Sequence, residues 1–104
     1  MLHIHGENVM FDAVADYPVQ AVNWHDRETP PSLREALIRF PGALVGGLNR
    51  RGTMVGGTPD DVRREAQDAL EQTGGRRFIL GTGCVLFLTT PVGNIRAVRE
   101  VVGV

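Results

Sequence analysis

The residues with chemical reach in this chain are few, and two groups stand out by their spacing. Near the start it reads Leu2-His3-Ile4-His5-Gly6. Alternate side chains of a strand share a face, so His3 and His5 point the same way, about 6 to 7 Å apart along the chain. Two imidazoles so placed can share one metal ion. The single cysteine lies in Gly81-Thr82-Gly83-Cys84, where glycines permit close approach of the backbone. Two imidazoles and a thiolate leave the fourth position of a tetrahedral zinc open, which marks a catalytic rather than a structural site. Zinc there would bind a substrate thiol and hold it as a thiolate at neutral pH. The plainer alternatives are two unrelated polar residues on a strand and a cysteine that serves as a small buried hydrophobe.

Further candidates surround this trio. Asn23-Trp24-His25-Asp26 offers Trp24 as a wall of the site and His25 as a proton donor or further ligand. The alternative is that Trp24 packs and His25-Asp26 opens a solvated loop. Asn49-Arg50-Arg51 places two guanidiniums where carboxylates or phosphates would suit them, or else forms an exposed charge pair. Glu7 can approach a metal, but more simply favours the N-terminus of a first helix. Ser32 is the only serine and no nucleophile-elbow motif exists, which excludes serine-hydrolase chemistry. All eleven cations are Arg, so Schiff-base chemistry and a P-loop lysine are excluded.

The elements that must position these residues follow one alternation: apolar run, turn, helical period. Leu2–His5 is the first run. Glu7 to Tyr17 follows, with Met10, Phe11, Val14 and Tyr17 on one helical face and Pro18 closing it. Val19 to Trp24 is the second run. Ser32 with Glu35 forms a capping box for a helix whose stripe is Leu33, Ala36, Leu37 and Phe40. Ala43 to Leu48 is the third run. Thr58-Pro59, with Asp60 and Asp61 at the positive end of the dipole, opens a helix with Val62, Ala66, Ala69, Leu70 and Thr73 inward. Gly74-Gly75 ends it. The fourth run, Phe78 to Gly81, leads towards Cys84. Thr90-Pro91 repeats the cap signal before a helix with Ile95, Val98, Val101 and Val102 on its inner face.

Four strand-helix units in 104 residues predict a single α/β domain with parallel strands. A doubly wound open sheet and part of a closed (βα)8 TIM barrel both fit this pattern. In a barrel the fifth and eighth strands end at the same mouth, where Cys84 would meet His3 and His5. Four strands alone leave two unpaired edges and an uncovered inner face. We therefore expect either a homodimer or a separate chain supplying the N-terminal half-barrel. A non-catalytic half-barrel module that works only by such pairing is a further reading.

Near-neutral charge and the absence of basic runs speak against nucleic acid. One cysteine excludes an internal disulfide. No apolar run approaches the roughly 18 residues that cross a bilayer, and His3, His5 and Glu7 break the first one. A cytoplasmic protein with a small-molecule substrate is expected.

Taken in order, Leu2-His3-Ile4-His5-Gly6, Val22-Asn23-Trp24, Gly46-Gly47-Leu48-Asn49, Gly57-Thr58-Pro59-Asp60-Asp61-Val62, Gly81-Thr82-Gly83-Cys84 and Thr90-Pro91-Val92-Gly93-Asn94-Ile95 resemble the uroporphyrinogen decarboxylase superfamily. The likeness covers nearly the whole chain and matches the last four strand-helix units of that barrel. It implies one of two activities. In the zinc-dependent corrinoid methyltransferase branch, His-x-Cys-Gly and a later cysteine after a glycine hold zinc, which activates a thiol methyl acceptor. The match implies His3 and Cys84 as ligands, with His5 in place of the first cysteine. An imidazole there makes the bound thiolate less nucleophilic. The other branch decarboxylates a tetrapyrrole in haem biosynthesis without metal. It carries a histidine where this chain has Cys84, and its substrate-binding residues lie mostly in the N-terminal half.

Overall fold

The structure, a computed structural model, describes residues 1–103. Its elements are β1 (Leu2–Ile4), α1 (Phe11–Val14), β2 (Ala21–Trp24), α2 (Leu33–Arg39), β3 (Ala43–Leu48), α3 (Pro59–Thr73), β4 (Phe78–Thr82) and α4 (Val92–Val101). The strands form one sheet in the order β1-β2-β3-β4, every pairing parallel. This order separates the two architectures that the sequence pattern left open. A doubly wound sheet reverses its strand order at a switch point. Here each crossover steps the same way, and right-handed crossovers in one direction lay all helices on one face. That is the winding of a (βα)8 barrel, and four units of it are present.

The helix-covered face carries the core. Val22, Trp24 and Leu44 from the strands meet Phe11, Leu33, Ala36, Phe40 and Ala69. Leu48, Met54, Val62, Ala66 and Ala97 form a second cluster. Burying each large apolar side chain contributes about 1.5–3 kcal/mol. The opposite face bears His3, Asn23, Val45 and Ile79 in register across the four strands. No helix covers it, and Ile79 is 55% exposed.

The two middle helices follow their caps. Ser32 and Glu35 form the capping box of α2, and Thr58 and Asp61 form that of α3. Gly74 ends α3 in the left-handed region at φ 65°, which glycine adopts without a Cβ clash. The outer helices depart from expectation. The stretch Glu7 to Tyr17 forms only the four-residue α1. Asn8 turns the backbone at φ 53° and Met10 provides no side-chain cap, while Met10 and Tyr17 are exposed. Glu7 therefore sits in the preceding bend rather than at a helix N-terminus. Thr90 does not cap α4. Pro91 is the N-cap residue, and the Thr90 hydroxyl is buried without a partner. Helix α4 buries Asn94 and Ala97, not Ile95 or Val102, which are 43% and 46% exposed. Asn94 donates to the carbonyls of Met54 and Gly57 at 2.9 Å each, which turns this side of the helix inward.

Candidate metal centre

Four donors converge at the C-terminal end of the sheet. His3, His5, His25 and Cys84 each offer one ligand atom, and these atoms lie within 4.8 Å of one another. They come from β1 and the residue following it, from the end of β2, and from the loop after β4. His5 is central: its Nδ1 lies 3.4 Å from His25 Nε2 and 3.7 Å from Cys84 Sγ. Zinc bonds of about 2.0–2.1 Å to nitrogen and 2.3 Å to sulfur put tetrahedral neighbours roughly 3.3–3.6 Å apart. The innermost pairs therefore already stand near ligand spacing. Three imidazoles and a thiol are a donor set that zinc favours.

Hydrogen bonds aim two of the rings. Asn23 stands beside His3 in the parallel register and is 6% exposed. Its Nδ2 donates to the carbonyls of Val45 at 2.8 Å and Thr82 at 3.1 Å, which turns its Oδ1 towards His3. His3 Nδ1 donates to that oxygen at 2.6 Å, leaving Nε2 for a ligand. His25 Nδ1 donates to Glu28 Oε2 at 3.0 Å, so its Nε2 faces His5. Outer partners of this kind fix the tautomer and orientation of ligating histidines.

Glycines allow the loops to meet. A Cβ on Gly83 would lie 2.8 Å from His25 Cα and 3.0 Å from the Trp24 carbonyl oxygen. Only a glycine lets the strand before Cys84 press against the end of β2. The loop is held further by the Gly83 amide on the Leu48 carbonyl and the Thr82 hydroxyl on the Cys84 carbonyl. The His25 loop is clamped from the other side. Asp26 Oδ1 accepts from the Gly47 amide at 2.9 Å, and a Cβ on Gly46 would fall 2.5 Å from that same oxygen. Arg27 donates to the Gly47 carbonyl, to Asp68 and to the Glu65 carbonyl. Burial raises the pKa of the Asp26 carboxyl, against the lowering effects of the Gly47 bond and Arg27.

The sequence candidates thus divide. His3, His5 and Cys84 meet, and His25 joins them as a fourth donor. Trp24 does not wall the site: β2 alternation turns it to the helix side, where it is fully buried against Phe11 and donates to the Pro31 carbonyl. Arg50 and Arg51 both lie over the Phe87 ring, at 4.9 and 5.2 Å from its centroid. Arg50 shares a small hollow with His25, Glu28 and Gly83, so it borders the cluster without entering it. Glu7 is exposed and outside the donor group. Sequence reasoning missed the orienting roles of Asn23 and Glu28. An asparagine inside an otherwise apolar strand, two positions before a histidine, was the available signal for the first. Glu28, an acid in a loop, gave none.

Residues 1–103 match the sequence model of the family described as Uroporphyrinogen decarboxylase (URO-D). The chain belongs to the uroporphyrinogen decarboxylase family. Among solved structures it is similar to a methyltransferase from Methanosarcina mazei, with a TM-score of 0.76 and 23% identity. The superposition covers 88% of this chain and 26% of that one. The chain thus spans about a quarter of that protein's length, and the likeness shows a shared fold. No curated protein matches the chain. Among the described residues, no helix of this uroporphyrinogen decarboxylase-family domain is long and apolar enough to cross a membrane.

Proposed function

We propose that this domain binds zinc through His3, His5 and Cys84, with His25 at the fourth position, and uses it to activate a small thiol for methyl transfer. The observation that carries this reading is the convergence of the four donors within 4.8 Å, with two imidazoles already oriented from outside. The family membership and the fold shared with a methyltransferase support the same side of the family. When bound, zinc lowers the pKa of a coordinated thiol so that it persists as thiolate at neutral pH.

The chain's own residues do the rest. Asn23 and Glu28 hold the His3 and His25 rings, which reduces the reorganisation needed on binding. Gly83 sets the position of Cys84. An incoming thiol would have to displace His25 from the fourth position, and the freed Nε2 would then take the thiol's proton while Nδ1 stays bonded to Glu28. The two remaining imidazoles and Cys84 would leave a coordinated thiolate more strongly electron-poor than a site with two cysteines would, so a slow methyl acceptor is expected.

Zinc content of the purified domain tests this reading. We expect close to one equivalent after supplementation, and Cys84→Ser should reduce affinity by at least tenfold. Absence of bound metal in the supplemented protein, or unchanged affinity in the serine variant, refutes it. Metal content also separates this reading from metal-free tetrapyrrole decarboxylation.

A further inference from the structure

The large apolar side chains that this fold leaves in solvent are not scattered. Of the eleven found exposed among the described residues, ten lie in the first strand-helix unit or in β4, α4 and the segments flanking α4. Only Ile38 belongs to the two middle units. One end of the arc presents Met10 at 79% and Tyr17 at 53% exposure. The other presents Ile95 and Val102, which border an open apolar groove running beside β4 with Leu80, Leu86 and Val98. The strands at these two ends, β1 and β4, each pair on one side only. Unpaired edges invite a further strand.

Charges at the two ends are opposite. Helix α1 and the residue pair after it carry Asp12 and Asp16 and no cation. Helix α4 carries Arg96 and Arg99, its one acid, Glu100, is paired with Arg63, and Arg99 borders the groove. Neither arginine has an ion-pair partner among the described residues, and neither does Asp16, while Asp12 stands 3.7 Å from Arg39.

We propose that these two ends dock on each other between two copies of this chain, closing an eight-stranded barrel about a twofold axis that runs along the strands. A twofold axis in that direction keeps every strand parallel. It sets β4 of each copy against β1 of the other, so both edges disappear at once. Eight strands is the number at which side chains just fill a barrel's interior. The groove beside β4 then receives the partner's β1 with its helix-facing Leu2 and Ile4, and α4 lies beside the partner's α1. This brings Arg96 and Arg99 towards Asp12 and Asp16. The uncovered face with Val45 and Ile79 becomes the lumen. A second copy fits because the two surfaces that must meet in a closed ring are both present on one chain, each apolar and opposite in charge.

Light scattering on the purified 104-residue chain, with a chelator present, tests the proposal independently of any metal. The expected mass is twice the 11.3 kDa of one chain. Asp16→Arg and Arg99→Glu should each weaken the dimer at least tenfold, and the two together should restore it, because the pairs are only exchanged. Both residues are exposed, so the fold, followed by circular dichroism, should be unchanged. Ile95→Glu should give monomers. A monomeric wild-type chain overturns the proposal, as it would if the groove takes a separate N-terminal half. Open polymers, or a dimer indifferent to these changes, overturn it too. Zinc binding by a wild-type chain that proves monomeric would leave the metal reading standing when this one fails.

Discussion

Gly83 is the position where a single methyl group should cost the most function. In Gly83→Ala the new Cβ would lie 2.8 Å from His25 Cα and 3.0 Å from the Trp24 carbonyl oxygen. Ordinary contact begins near 3.4 Å, so the backbones must part by roughly 0.6 Å. Neither neighbour can rotate away, because both are main-chain atoms of the end of β2. Trp24 is locked in the core and the His25 loop is clamped through Asp26 and Arg27. The Cys84 loop must therefore move. Metal–ligand distances tolerate only about 0.2 Å. A displacement several times larger should reduce zinc affinity at least tenfold. Overpacking of this kind costs about 1–3 kcal/mol of stability. Competition against a chelating dye measures the first effect and urea unfolding of the metal-free protein measures the second. Wild-type zinc affinity in a folded alanine variant would refute the reasoning, because Cys84 would then have to reach His5 by a path the structure does not contain.

Other perturbations probe the same framework. Asn23→Leu removes the acceptor that aims His3 and should lower zinc affinity about 10- to 100-fold, read by the same dye competition; an unchanged value would make Asn23 a purely structural tie. For Asp26, burial raises the pKa above 3.8, so the folded state holds this proton more tightly than the unfolded chain. Its contribution to stability therefore falls as pH rises from 3.8 through the raised value. Asp26→Asn keeps an oxygen for the Gly47 amide, and urea midpoints across acid to neutral pH should lose that fall; parallel curves would count against the assignment. Thr90→Val removes a buried hydroxyl that has no partner and should leave stability equal or raise it by up to about 1 kcal/mol. A loss of that size on thermal melting would show that the hydroxyl is bonded. Thr58→Ala should cost about 1 kcal/mol by unmaking the α3 capping box, measured by urea midpoint.

Much of this fold is legible in local signals. The run Ala43–Leu48 is β3 to the residue, and Ser32 and Thr58 mark their helices because capping is settled within four residues of chain. Local signals did not give strand order, since alternating units fit both a barrel arc and a doubly wound sheet; the family resemblance implied the barrel arc, and the pairings agree with it. The outer elements misled for a shared reason. Apolar spacing in Glu7–Tyr17 and in Ile95–Val102 signals a surface to be covered, but does not say that this chain's own core covers it. His3, His5 and Cys84 were recognisable by donor type. His25 was ambiguous, because its role depends on Glu28 turning the ring and on Gly83 bringing another loop against it. Trp24 was open between wall and core, and alternation along β2 decides for the core, on the face opposite Asn23.

The contact between Cys84 and His5 joins residues 79 positions apart, one at each extremity of an open sheet. Any ion seated there acts as a clasp across the arc. The unfolded chain would lose the freedom of a very long loop, and the folded chain would lose the freedom to flatten. The curvature of the sheet, and with it the separation of its two bare edges, would then be set before either edge meets anything else. A clasped arc would offer its partner strands a gap of fixed width, where an unclasped one would have to find that width on docking.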